Sequence, residues 1–135
     1  MANQLYPLAR QAWADANISW SADDIKVALV GAGYSYNAAN EFRSQLTDVA
    51  ADSANLASKT NVGGVLDAAD IAISGVSLGE DVTGVVVYAD TGTPATSRLL
   101  AYFDTKASGE LIELDGDGGV VTVRWSNAVN KILKL

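Results

Sequence analysis

The sequence predicts a mainly β protein, an antiparallel β-sandwich or barrel with one or two short N-terminal helices. About seven or eight strand-like segments recur roughly every 8–12 residues, the rhythm of such folds. These segments are rich in Val, Ile, Leu and aromatic residues and are punctuated by Gly, Asp, Ser and Thr. Hydrophobic residues make up 49 % of the 135 residues and charged residues 19 %. That is enough apolar material for one core, so residues 1–135 are expected to form a single domain.

Residues 4–16 read as a short helix, because Leu5, Leu8, Ala9, Ala12 and Trp13 fall on one stripe. Pro7 suits a first-turn position, where its missing N–H costs nothing. A helix this short does not stand alone. Residues 1–20 are therefore expected to pack as a helical interface arm beside a β-rich body, 24–135. Residues 24–30 form a strand with Ile25, Val27 and Leu29 on one face, ended by Gly31 and Gly33. Phe42, Leu46 and Val49 share a helical face, predicting a second short helix over 38–50 with Asn37 as its cap.

Residues 54–60 and 62–66 are strand candidates around Thr60–Gly64, and 70–76 alternates through Ile71 and Ile73. The continuous apolar run 82–89 predicts a strand covered on both faces. After the turn residues 90–97, segment 98–104 is its hairpin partner. A short strand is expected at 110–114, a turn at 115–119, and a last hairpin from 120–125 and 131–135 around 126–130. The central strands should be 82–89, 98–104 and 120–125. They should bury Val85, Val87, Leu99, Ala101, Val121 and Val123, or else the opposite-face Val86, Leu100 and Val120.

Function is constrained first by absence. The chain has no histidine and no cysteine. Imidazole acid–base work, thiol chemistry and most transition-metal sites are thereby removed. A hydrolase would need a Ser–Lys pair, and Lys26, Lys59, Lys106, Lys131 and Lys134 sit in no such motif. No enzyme is expected. The net charge of −7 disfavours nucleic acid and anionic membranes as partners. No apolar run approaches the roughly 18–20 residues of a transmembrane helix. The opening MANQLYPLARQAW lacks the basic and apolar regions of a signal peptide.

Two motifs fail on inspection. In VALVGAGYSYN (27–37) a strand enters Gly31-Ala32-Gly33, but Tyr36 stands where a dinucleotide-binding turn needs its third glycine. Asp115-Gly116-Asp117, with Glu113, has oxygens for calcium, yet the EF-type glutamate position falls on Ser126. A D-G turn is the expected reading, and no metal or organic cofactor is expected. Tyr6, Trp13, Trp20, Tyr34 and Tyr36 are five of the ten aromatic residues, crowded into the first 36 positions. They either build a satellite core or form a protein interface, where Trp and Tyr are favoured anchors. The interface reading names Leu5, Tyr6, Leu8, Trp13, Trp20, Tyr34 and Tyr36.

The opening MANQLYPLARQAW, then DIKVALVGAGYSYNAA, VVVYADTGTPATSRLLAYFDT and the closing GGVVTVRWSNAVNKILKL carry a resemblance. In that order, over nearly the whole chain, they resemble small virion structural proteins of tailed bacteriophages, of head-decoration, minor capsid or minor tail type. Residues 50–70 and 105–117 match least. The resemblance implies a non-enzymatic capsid decoration (cement) protein that clamps major capsid subunits and stabilises the head. The alternative it implies is a minor tail or receptor-binding component. It further implies a homo-oligomer with the trimer as candidate state, synthesis in the host cytoplasm and residence on the capsid surface. Such a protein presents apolar and aromatic anchors to the capsid and its acidic surface to solvent.

Overall fold

The computed structural model describes residues 3–77, 81–106, 117–126 and 131–135. The fold is mainly β with antiparallel pairing throughout, arranged as a sandwich with one short helix near the N-terminus among the described residues. Its elements are β1 (Gln4–Leu5), α1 (Pro7–Ala14), β2 (Asp24–Gly31), β3 (Val49–Asp52), β4 (Thr60–Val62), β5 (Val65–Asp67), β6 (Ile71–Ser77), β7 (Val82–Asp90), β8 (Arg98–Phe103), β9 (Asp117–Val123) and β10 (Leu133–Lys134). The main sheet runs β1-β8-β7-β2-β3, while β6 pairs with β9 and β5 pairs with both β4 and β10.

The sheet is built on β2 and β7, whose branched aliphatic residues pair across the strands, Val27 with Val87 and Leu29 with Val85. Both faces of β2 are covered: Val27, Ala28, Leu29 and Val30 are all fully buried. A one-faced pattern through Ile25, Val27 and Leu29 understates this. Register places Ala28, Val86 and Tyr102 on one face and Val27, Val87 and Ala101 on the other. Helix α1 packs along β8, and the rings of Tyr34 and Tyr36 lie against Tyr102 on the first face. On the second, Phe103 meets Trp125 just beyond β9, and β6 runs against β3. Ile73, Val76, Val121 and Val123 join the same core.

Gly84 sits opposite Val30 on the tyrosine-bearing face. A Cβ there would lie 2.9 Å from both Tyr102 Cε2 and Val30 Cγ2. Neither a ring edge nor a buried valine methyl has room to retreat. Gly84→Ala is expected to destabilise the chain by about 1–3 kcal/mol through overpacking. Urea unfolding should show a lower midpoint at unchanged slope, and an unchanged midpoint would contradict this packing.

Several expectations are corrected. Residues 38–50 are not a helix. Phe42 bridges to Arg98, a single 3-10 turn spans Arg43–Gln45, and Val49–Asp52 leaves as β3 on the edge of β2. Asp48 at φ 55 breaks any helical path before Val49. Asn37 closes a local turn instead of capping a helix, its Oδ1 accepting from the Ala39 amide. Helix α1 starts only at Pro7, because Gln4 and Leu5 are held as β1 opposite Tyr102 and Ala101. It stops at Ala14, before Ala16 turns to φ 59. Gly31 belongs to β2 and does not end it earlier.

Of the candidates at 54–60 and 62–66, only Thr60–Val62 and Val65–Asp67 are strands, joined at Gly63 and Gly64 with φ of 60° and 83°. That backbone suits glycine, as in tight hairpins. Residues 120–125 and 131–135 do not pair with each other. β9 pairs with β6 and β10 with β5, so the segment expected as a third central strand lies outside the main sheet. Residues 117–119 are already strand; Asp115, Gly116 and the strand expected at 110–114 lie outside the described residues. In β7 and β8 both proposed sets of residues are buried, whereas in β9 Val121 and Val123 are buried and Val120 is exposed.

Candidate interaction surface

The aromatic residues of the N-terminal segment fold inward. Tyr6 is 0 % exposed, and Trp20 and Tyr34 are buried within the single chain. The Tyr6 and Tyr34 hydroxyls lie 2.7 Å apart, and Tyr34 donates to Asn40 Oδ1 at 3.0 Å. The Tyr6 ring packs on Tyr36 at 5.1 Å between centroids. Trp20 Nε1 donates to the Asp67 carbonyl at 3.3 Å. Tyr6, Trp20 and Tyr34 are therefore core residues of the single chain, and the segment from Asn3 to Trp20 packs against the β body. Leu5, Leu8, Trp13 and Tyr36 are half-buried. Of these, Leu5 and Tyr36 reach the molecule's main cleft.

Burial raises the Tyr6 phenol far above its ordinary range, and the hydrogen bond with Tyr34 adds to the effect. Burial likewise raises Tyr34, Tyr36 and Tyr102. Tyr88 is raised by burial and then by the adjacent Asp52 carboxylate, to which it donates at 3.0 Å. These phenols stay neutral and serve as packing and hydrogen-bonding groups.

The glycine turn after β2 is filled from within. The Gly31 amide donates to the Asp48 carbonyl at 3.0 Å and the Gly33 amide to Asp48 Oδ2 at 2.7 Å. Asp48 thus satisfies both of these amides from within the chain. Among the described residues no group of three or more carboxylates is placed to hold a metal ion. The calcium candidates Glu113 and Asp115 lie outside the described residues, as does the side chain of Asp117. Among the described residues no helix is long and apolar enough to cross a membrane.

What stands out is a cleft of about 1080 Å³ between the β1–β8 edge of the main sheet and the β9 and β10 region. Its apolar floor includes Val85, Ala101, Phe103, Val123, Trp125 and Leu133. Arg10, Lys106, Arg124, Lys131 and Lys134 surround that floor. They are five of the chain's nine basic residues, and no Asp or Glu is among the described lining.

Parts of the walls are held by hydrogen bonds and ring packing. Trp125 stacks edge-on against Phe103 at 6.5 Å, its amide donates to Asp70 Oδ1 at 2.9 Å, and its indole N–H donates to the Ala69 carbonyl at 3.2 Å. Asn3 Oδ1 accepts from the Asp104 and Thr105 amides, each at 3.0 Å, fastening β1 to the end of β8. Tyr36 donates to the Leu5 carbonyl at 3.1 Å and blocks part of the exposed edge of β1.

The other four cations are engaged elsewhere. Lys26 pairs with Asp90 at 2.8 Å, Arg43 with Asp52 at 2.8 Å and Arg98 with Glu41 at 2.7 Å, while Lys59 donates to the Asp23 carbonyl. The Lys26 contact holds the Asp90 carboxyl below its ordinary range. Within the cleft only Lys131 has a described ion pair, to Asp67 at 3.7 Å. Sequence reasoning missed this surface because its cations come from both ends of the chain. A signal was present: after Asp117 the sequence holds Arg124, Lys131 and Lys134 and no further acid.

A second, smaller feature is apolar. Val62, at 75 % exposure, leads into the Gly63–Gly64 turn, and Leu135, at 51 %, is tied to that turn by its amide donating to the Gly64 carbonyl at 2.9 Å. No protein-family model, no curated protein and no solved structure matches this chain.

Proposed function

We propose that this chain is a non-enzymatic structural protein of a tailed-phage virion, a head decoration protein that clamps neighbouring major capsid subunits. The observation that carries this reading is the cleft. It is larger than most small-molecule sites, is floored by apolar side chains and is surrounded by cations on an acidic body. Those are properties of a surface that grips polypeptide. The bonded Trp125 and Asn3 favour that role, since a clamp loses less entropy on binding when its contact groups are already ordered. The Val62–Leu135 tip supplies a separate apolar anchor suited to the shell. Ligands that bind only the assembled shell stabilise it by mass action.

Immunogold labelling of purified virions with an antibody to this chain tests the reading. Gold over the heads is expected. Gold confined to tails would replace it with the minor-tail role, and unlabelled virions would remove both.

A further inference from the structure

We infer that the cationic cleft receives the acidic surface of a second copy of this chain, so that copies associate head to tail. The inference rests on the reading of the cleft as a polypeptide-binding surface and adds the identity of its occupant, leaving the apolar Val62–Leu135 tip to meet the capsid. Charge complementarity carries it. Five cations gather on the cleft without a described carboxylate among them, and four of those five have no ion pair among the described residues. Outside the lining, the remaining four basic residues stand against eleven Asp and Glu whose side chains are described, and each of those four is already engaged by a carboxylate or a carbonyl. One molecule thus bears both halves of a complementary pair, a positive concavity and a negative exterior.

Part of the acidic exterior lies apart from the cleft. Asp24 opens β2 opposite Asp90, whereas the cleft floor lies where Phe103 pairs with Val85, at the far end of the sheet. Asp15 and Asp24 are exposed and have no described ion pair. A contact between unlike surfaces is heterologous. It closes into a ring when the rotation allows and otherwise extends, and it does not stop at a two-fold dimer. Apolar floor and cationic surround divide the work: Trp125 and Phe103 offer desolvated area, and the cations set orientation and encounter rate.

Sedimentation velocity of the full chain across a concentration series, at low and at high salt, tests this. Wild type is expected to associate beyond the monomer at low salt and to weaken markedly as salt shortens the screening length from about 10 Å at 0.1 M to about 3 Å at 1 M. The double variant Arg124→Gln/Lys134→Gln should raise the dissociation constant at least about tenfold, as expected for loss of interfacial charge contacts. Lys106→Gln should act in the same direction. The control Ser44→Glu/Asn55→Glu makes an equal net-charge change at exposed sites away from the cleft and should leave association within about twofold, as for rim-remote sites. Circular dichroism confirms that each variant is folded.

A wild type that is monomeric throughout would overturn the inference. So would an assembly indifferent to salt and to the cleft variants, or a control that weakens it equally. If the monomer instead binds purified capsid shells in a salt-dependent manner that the cleft variants abolish, the occupant is the capsid protein. The inference then fails while the decoration reading stands.

Discussion

Tyr6→Ala is expected to destabilise the chain by about 3–5 kcal/mol, the range for removing a buried aromatic side chain. Tyr6 is wholly buried, its ring packs on Tyr36, and its amide donates to the Leu100 carbonyl at 3.0 Å, joining β1 to β8 at the entry to α1. Emptying that position leaves a cavity beneath the first helix and frees the sheet edge. Against a typical stability of about 5–15 kcal/mol, such a loss takes a third or more of the total for most domains. Tyr6→Phe should cost only about 1 kcal/mol, because Tyr34 keeps its bond to Asn40. Thermal unfolding of the pair checks this. Equal, small shifts would mean that the N-terminal segment is a dispensable arm after all.

Alkaline pH should unfold the protein and ionise its tyrosines in one step. All five tyrosines have phenol pKa values raised, each chiefly by burial. Unfolded phenols release their protons near pH 10. Above that pH the folded state binds more protons than the unfolded state, so stability falls as pH rises. The contribution is fully present below about pH 10 and is lost above it. Tyrosinate absorbance followed beside far-ultraviolet circular dichroism should therefore rise together with loss of the β signal. Substantial ionisation near pH 10 in a chain still folded would contradict the buried cluster.

Strands were legible where the pattern was local. The run VTGVVVYAD needs no partner to declare itself, and the turn-rich segment after it made 98–103 its evident neighbour. What failed was non-local. β1 is two residues long and exists only because Tyr102 and Ala101 lie opposite it. Phe42, Leu46 and Val49 have helical spacing by coincidence. Phe42 lies beneath the Arg98 guanidinium at 5.4 Å, Leu46 is buried separately, and Val49 is drawn into a strand opposite Val30. The closing KILKL segment reads as a hairpin partner for 120–125 but pairs with β5, Leu133 opposite Leu66 and Lys134 opposite Val65, far earlier in sequence.

The aromatic crowd at the N-terminus had two readings, and three-dimensional packing favoured the core reading for Tyr6, Trp20 and Tyr34. The cleft was half legible. Segregation of charge toward the C-terminus could be read directly, but Arg10 and Lys106 join Arg124, Lys131 and Lys134 only once β1, β8, β9 and β10 are in place. Charge counted along a chain gives its sign, and the fold decides whether it gathers.

The central claim, a structural protein that covers a phage head, is tested most directly by counting its copies in purified virions against the major capsid protein, using quantitative mass spectrometry. Hundreds of copies per particle, in a fixed ratio to capsid subunits, are predicted. A few copies up to some dozens per particle, or none, would contradict it.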